Sequence, residues 1–272
     1  MAIDPPVPTR SPLALVVLLA SLLIIPAPLP AQESPEERGL AIFREAETRD
    51  EGFGDFTAAL EMVLRTGPGQ ESKRQMRIRT LEVLEDGDKS LVIFDEPRDV
   101  KGTALLTFSY KTGDDDQWLY LPALERVKRI SSSNQSGPFM GSEFAYEDLS
   151  SQEVEKYTYN YLREEELNGV ACHVIERTPL HPKSGYRRQV VWLDQEHLRV
   201  LKIDFFDRKD SLLKTLTQSG FEQFLDRHWR PASQQMVNHQ NGKTTELIWT
   251  DYAFQTGLDD GDFNRTSLAR TR

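Results

Sequence analysis

From about residue 56 to 254, apolar and polar residues alternate with a period of two, as they do in strands with one covered face. The pattern predicts strands over 56–65, 74–84, 90–94, 103–110, 117–121 and 126–130. After a long interruption it resumes over 156–165, 171–178, 186–193, 200–206, 212–224, 228–238 and 244–254. The breaks carry turn chemistry, as in Gly67-Pro68-Gly69, Asp86-Gly87-Asp88, Asn168-Gly169 and Asn241-Gly242. Many strands joined by short turns predict an antiparallel meander whose sequence neighbours pair in space. Two details predict curl and sidedness. Within MRIRTLEVLE, Met76 and Ile78 share one phase while Leu81 and Val83 share the other, the slip that a bulge or barrel corner produces. Leu201, Ile203 and Phe205 alternate with Lys202 and Asp204, so one face should be dry and the other wet.

Upstream of the strands the period is helical. Ser34-Pro35-Glu36-Glu37 combines a capping residue, proline at the first helical position and a capping box, and Leu40, Phe43 and Ala46 follow three apart. The predicted helix ends near Arg49, before Gly52 and Gly54.

Residues 1–31 form a charged start, a short apolar run (LALVVLLASLLII) and an exit of small residues and prolines, read as a signal peptide cleaved after Ala31. The alternative is an uncleaved anchor, although the run is short against the ~20 residues of a membrane-spanning helix. Residues 32–272 then form one domain, with no internal repeat. The lone Cys172 cannot make an intramolecular disulfide, so stability must come from packing. Removing Asp4 and Arg10 leaves the net charge at −10, which argues against nucleic acid as a partner.

No catalytic or metal-binding motif emerges. The five histidines form no HExxH pair, the serines at 131–133 and 136 lack a G-x-S-x-G elbow, and Cys172 and His173 point to opposite faces of a strand. SGPFMGSE lacks the lysine of a phosphate loop. The expectation is a protein that is not an enzyme and needs no cofactor.

Aromatic bulk stands out instead. Tyr157, Tyr159 and Tyr161 share one face of a strand, Trp118 and Tyr120 share another, and Trp192 and Phe205 sit in further strands. Each could be ordinary core, or the wall of an apolar cavity in an incompletely closed barrel. The loop after the basic strand RVKRI places Pro138, Phe139, Met140 and Phe144 between or beside Gly137 and Gly141.

The run DQWLYLPALERVKRI, followed by GPFMGSEFAYEDL, resembles the outer-membrane lipoprotein-sorting proteins, in the branch related to the treponemal TP-0789 protein. The opening helix ending in RDEGFGDF and the tail GLDDGDFN…SLAR fit the resemblance, with Asn264 in place of a more usual threonine. It implies a mainly β fold similar to LolA and LolB: one curved antiparallel sheet in an unclosed barrel, with helices and loops across its mouth. It also implies a periplasmic carrier of lipid or lipoprotein acyl chains, expected to be monomeric, with an RND-type inner-membrane transporter as a plausible partner. On this reading residues 131–148 are a lid whose Glu143, Glu147 or Asp148 pairs with Arg126, Lys128 or Arg129. The competing reading is a periplasmic accessory module of such a transporter, without cargo, using the same loop for docking.

Overall fold

The structure is a computed structural model that describes residues 1–6, 33–266 and 268–270. The expected signal peptide, apart from residues 1–6, lies outside the described residues. Glu33–Arg272 form one unit. Its single α-helix among the described residues, α1 (Pro35–Asp50), begins as its sequence dictates. The Ser34 hydroxyl accepts from the Glu37 N–H at 3.1 Å, and the Glu37 carboxylate accepts from the Ser34 N–H at 2.9 Å.

The first six strands are β1 (Asp55–Arg65), β2 (Glu71–Leu81), β3 (Lys89–Glu96), β4 (Ala104–Phe108), β5 (Asp116–Leu121) and β6 (Arg126–Ile130). The next five are β7 (Tyr157–Leu167), β8 (Val170–Pro179), β9 (Tyr186–Asp194), β10 (Val200–Asp207) and β11 (Leu212–Ser219). A two-stranded hairpin, β12 (Glu222–Phe224) and β13 (His228–Arg230), precedes β14 (Ser233–Asn238) and β15 (Thr244–Phe254). The hairpin interrupts what the alternation predicts as two longer strands, 212–224 and 228–238. The other thirteen strands form one antiparallel sheet, ordered β6-β5-β4-β3-β2-β1-β15-β14-β11-β10-β9-β8-β7. Pairing of β1 with β15 joins two meanders back to back. It leaves β6 and β7, which follow one another in sequence, at opposite edges of an unclosed sheet. The segment 131–156 is long because it must travel from one edge to the other.

The inner face carries the main core, including Leu60, Met76, Val92, Ile203 and Leu216. The outer face is not simply wet. Leu91, Ile93, Leu106 and Trp118 are covered there by Phe263 and Leu268 of the C-terminal tail, and Cys172, Val174, Val190 and Trp192 form another patch. This explains the mixed phases. Leu81 ends β2 facing the tail-covered patch, while Met76, Ile78 and Thr80 keep one inward phase; the irregularity in β2 lies instead between Gln75 and Met76. On β10 a bulge between Val200 and Lys202 sends Leu201 outward, while Ile203 and Phe205 face in. Gly39 lets α1 lie close on β7: a Cβ there would stand 3.1 Å from Tyr159 Cβ and 3.2 Å from the Tyr161 nitrogen.

Candidate functional site

The unclosed sheet encloses a cavity of about 970 Å³. Its floor is apolar and drawn from inward phases of distant strands: Leu60 and Met62 of β1, Met76 and Ile78 of β2, Ile203 and Phe205 of β10, Leu216 of β11 and Met236 of β14. Charges gather at its rim. Arg227 donates to the carbonyls of Thr48 and Arg49 at 2.7 and 3.1 Å, satisfying the C-terminal end of α1, and Arg230 pairs with Asp50 at 2.6 Å. Arg199 stacks over Trp229 at 4.6 Å and pairs with Asp194 at 2.9 Å. Two rim acids are strongly perturbed. Burial, reinforced by Asp88, pushes Glu153 up to about 7. Burial pushes Asp88 up to about 6. A smaller cavity of about 410 Å³ adjoins the first, and Asp148, Ser150, Ser151 and Gln152 line both.

The segment between β6 and β7 closes one side of the large cavity in short turns of 3-10 helix. Phe139, only 1% exposed, packs on Phe94 at 5.7 Å and Tyr146 at 5.6 Å, and both Phe139 and Phe144 line the cavity. Pro138 bridges to Ala145, and the Met140 carbonyl accepts from Arg74 Nη1 at 2.6 Å while the Met140 side chain packs on the main core. Pro138 itself is exposed and Met140 half-buried, and neither lines the cavity, so of this stretch only Phe139 and Phe144 reach it.

The expected pairing of this segment with Arg126, Lys128 and Arg129 does not occur. Arg126 and Lys128 are exposed on edge strand β6, and Arg129 pairs with Asp116 of β5. Arg74 of β2 and Gln117 of β5 hold carbonyls of the segment, but its carboxylates are held from the opposite half of the sheet. Lys214 of β11 donates to Asp148 at 2.7 Å and to the Glu143 carbonyl at 2.8 Å, and both charged side chains are more than nine-tenths buried. Tyr186 donates its hydroxyl to Asp148 at 2.8 Å, Asn238 donates to Glu143 at 2.6 Å, and Ser184 donates to Glu147 at 2.7 Å. The segment follows β6 in sequence, yet it crosses to the far half, out of reach of the β6 cations.

Three predicted wall residues face the other way. Trp118 and Tyr120 pack beneath the C-terminal tail, and Trp192 lies in the second outer patch with Lys202 over its ring at 4.0 Å. Their neighbours Leu119, Val191 and Leu193 take the inward positions, so strand alternation turns the aromatics outward. The tyrosines of β7 serve mainly to seat α1. Tyr159 packs against Phe43 at 4.6 Å, and Arg38 lies over Tyr161 at 3.7 Å. Tyr157 lines the smaller cavity. Phe205 does line the large one. Lys214 and Arg177 are absent from the sequence expectations; each lies two residues from a core aliphatic, Leu216 or Ile175, and shares its inward face.

The model of a family described as "Uncharacterized protein" matches residues 86–270. No curated protein matches the chain. Among solved structures, a domain from Vibrio parahaemolyticus described as an outer membrane lipoprotein-sorting protein domain is 57% identical, with a TM-score of 0.85, over 86% of this chain and 100% of that one. A DUF1329 family protein from Desulfovibrio piger is 31% identical, with a TM-score of 0.82, over 86% and 99% of the two chains. A LolA superfamily protein from Nitrosomonas europaea shares the fold at 20% identity and a TM-score of 0.68, over 84% and 98%. An unclosed sheet, an apolar interior and these likenesses together place the chain in the outer-membrane lipoprotein-sorting protein family, on a LolA-like fold.

Proposed function

We propose that the protein is a periplasmic carrier that shelters the acyl chains of a lipid or lipoprotein in its half-barrel, without catalysing a reaction on them. One observation carries this reading: an apolar cavity of about 970 Å³ inside a sheet whose edges do not pair. That volume is at the upper end of the roughly 300–1,000 Å³ of small-molecule sites. A buried methylene is worth about 0.8 kcal/mol, so a chain of about fourteen gains roughly 11 kcal/mol before costs. Association and ordering cost about 4 kcal/mol or more, so one buried chain contributes at most about 7 kcal/mol net, an affinity from which cargo is readily released.

The test is mass spectrometry of organic extracts from the purified protein, beside Leu216→Trp, which fills the floor of the cavity. Stoichiometric acyl lipid in the wild type and its loss from a folded L216W variant are the expected outcome. Lipid-free wild type that binds no added fatty acid, yet co-purifies with an inner-membrane complex, overturns the carrier reading and leaves the transporter-accessory role.

A further inference from the structure

Among the described residues one fully buried cation is in contact with no carboxylate. Arg177 of β8 is 3% exposed, and among the described residues no carboxylate lies within 4.0 Å of its side-chain nitrogens. Lys214, the other buried cation of the inner face, holds Asp148 at 2.7 Å. Arg177 is instead clamped by neutral groups. Its Nε donates to Gln189 Oε1 at 2.6 Å and one terminal nitrogen donates to Gln152 Oε1 at 3.1 Å. Its guanidinium lies 4.4 Å from the Tyr157 ring centroid and 5.7 Å from that of Phe43. A guanidinium has five N–H donors, and these contacts use two of them. Aromatic faces and amides orient the group and soften its desolvation, but they do not neutralise it.

Its position gives the charge a use. Arg177 forms part of the wall of the large cavity, while Gln152, Gln189 and Tyr157 line the smaller one. The guanidinium thus stands at the partition between an apolar chamber and a more polar one. Burying a charge is costly unless it is paired, and the guanidinium fork matches the oxygen pairs of carboxylates and phosphates.

We propose that Arg177 is the recognition point for an oxyanion head group, a carboxylate or phosphodiester, on an acyl lipid whose chains fill the large cavity. The inference rests on the carrier reading and narrows its cargo to anionic amphiphiles. Two acids of the same cavity wall, Glu47 and Glu153, are both pushed up by burial, which lessens the negative charge an incoming head group meets.

The test uses delipidated protein and displacement of a fluorescent acyl probe by matched pairs. Oleate against oleyl alcohol isolates the carboxylate, and lysophosphatidylglycerol against monooleoylglycerol isolates the phosphodiester. The wild type is expected to favour the anion of at least one pair by about tenfold, and the favoured pair identifies the head group. Arg177→Gln should abolish that preference while leaving the neutral partner's affinity unchanged, and Arg177→Lys should retain part of it. Equal wild-type affinity for charged and neutral partners in both pairs overturns the proposal while leaving the carrier reading intact, and does so whether or not the variant folds. An undiminished preference in R177Q also overturns it. Binding of neither partner in either pair overturns the carrier reading and this inference together.

Discussion

Replacing Lys214 by methionine tests how the segment across the cavity is held. Lys214 and Asp148 are 2.7 Å apart, with side chains 5% and 8% exposed. At an effective dielectric of about 20, their gross attraction is roughly 6 kcal/mol. Desolvation consumes much of it, and removing one partner of such a pair typically costs about 3–5 kcal/mol because the other charge is stranded. Here Asp148 keeps two donors, the Tyr186 hydroxyl at 2.8 Å and the Ala145 N–H at 2.7 Å. The expected loss for Lys214→Met is therefore near the lower end, about 3 kcal/mol, against a typical total of about 5–15. Urea unfolding should show a lower midpoint at constant slope, and amide exchange should accelerate first in residues 137–150. Asp148→Asn combined with Lys214→Met leaves no stranded charge and should recover about 2 kcal/mol relative to the sum of the single changes. A K214M variant within about 0.5 kcal/mol of wild type, or strict additivity in the cycle, refutes the assignment of the tether to this pair.

The rim acids predict a pH response. Glu153 is raised from 4.5 to about 7 and Asp88 from 3.8 to about 6. As pH rises through this window the unfolded chain loses protons before the folded one, so these two groups make stability fall towards neutral pH; Glu153→Gln should flatten the decline in melting temperature between about pH 5 and 8. Asp55 and Asp194 act oppositely, being lowered against their burial by hydrogen bonds, from Thr256 and from Arg199 and His197, so their contribution disappears only as pH falls below the ordinary aspartate range. Phe263→Ala should cost about 3–5 kcal/mol and red-shift Trp118 fluorescence, because Phe263 is 3% exposed and helps cover Trp118. Unchanged emission counts against tail docking. Ser34→Ala removes the cap of α1 and should cost about 1 kcal/mol in urea unfolding; no change would mean that the start of the helix is not coupled to the fold.

Local rules carried much of the fold. Ser34 to Glu37 determine where α1 begins, and the twofold alternation with its glycine turns determines most strands and their antiparallel sense. That Arg177 shares a face with Ile175, and Lys214 with Leu216, follows from the alternation; that this face is the inner one does not. Nor was the face assignment for Trp118 and Trp192 readable. Both faces of their strands are apolar; the outer face at Trp118 is covered by a tail more than a hundred residues further on in sequence, and Trp192 clusters on its outer face with Cys172, Val174 and Val190.

Alternation along a strand states which residues share a face, never which face is inside. That choice belongs to the thirteen-stranded sheet that the pairing of β1 with β15 assembles, and to the C-terminal tail, which dries part of the outer surface. The same pairing sends β6 and β7 to opposite edges, so the connecting segment meets Lys214 and Asn238 and not the adjacent cations of RVKRI. Sequence alone determined most of the strands, the helix and its cap. Only the tertiary structure decided where the cavity lies and what ties its cover down, because both are contacts between segments far apart in the chain.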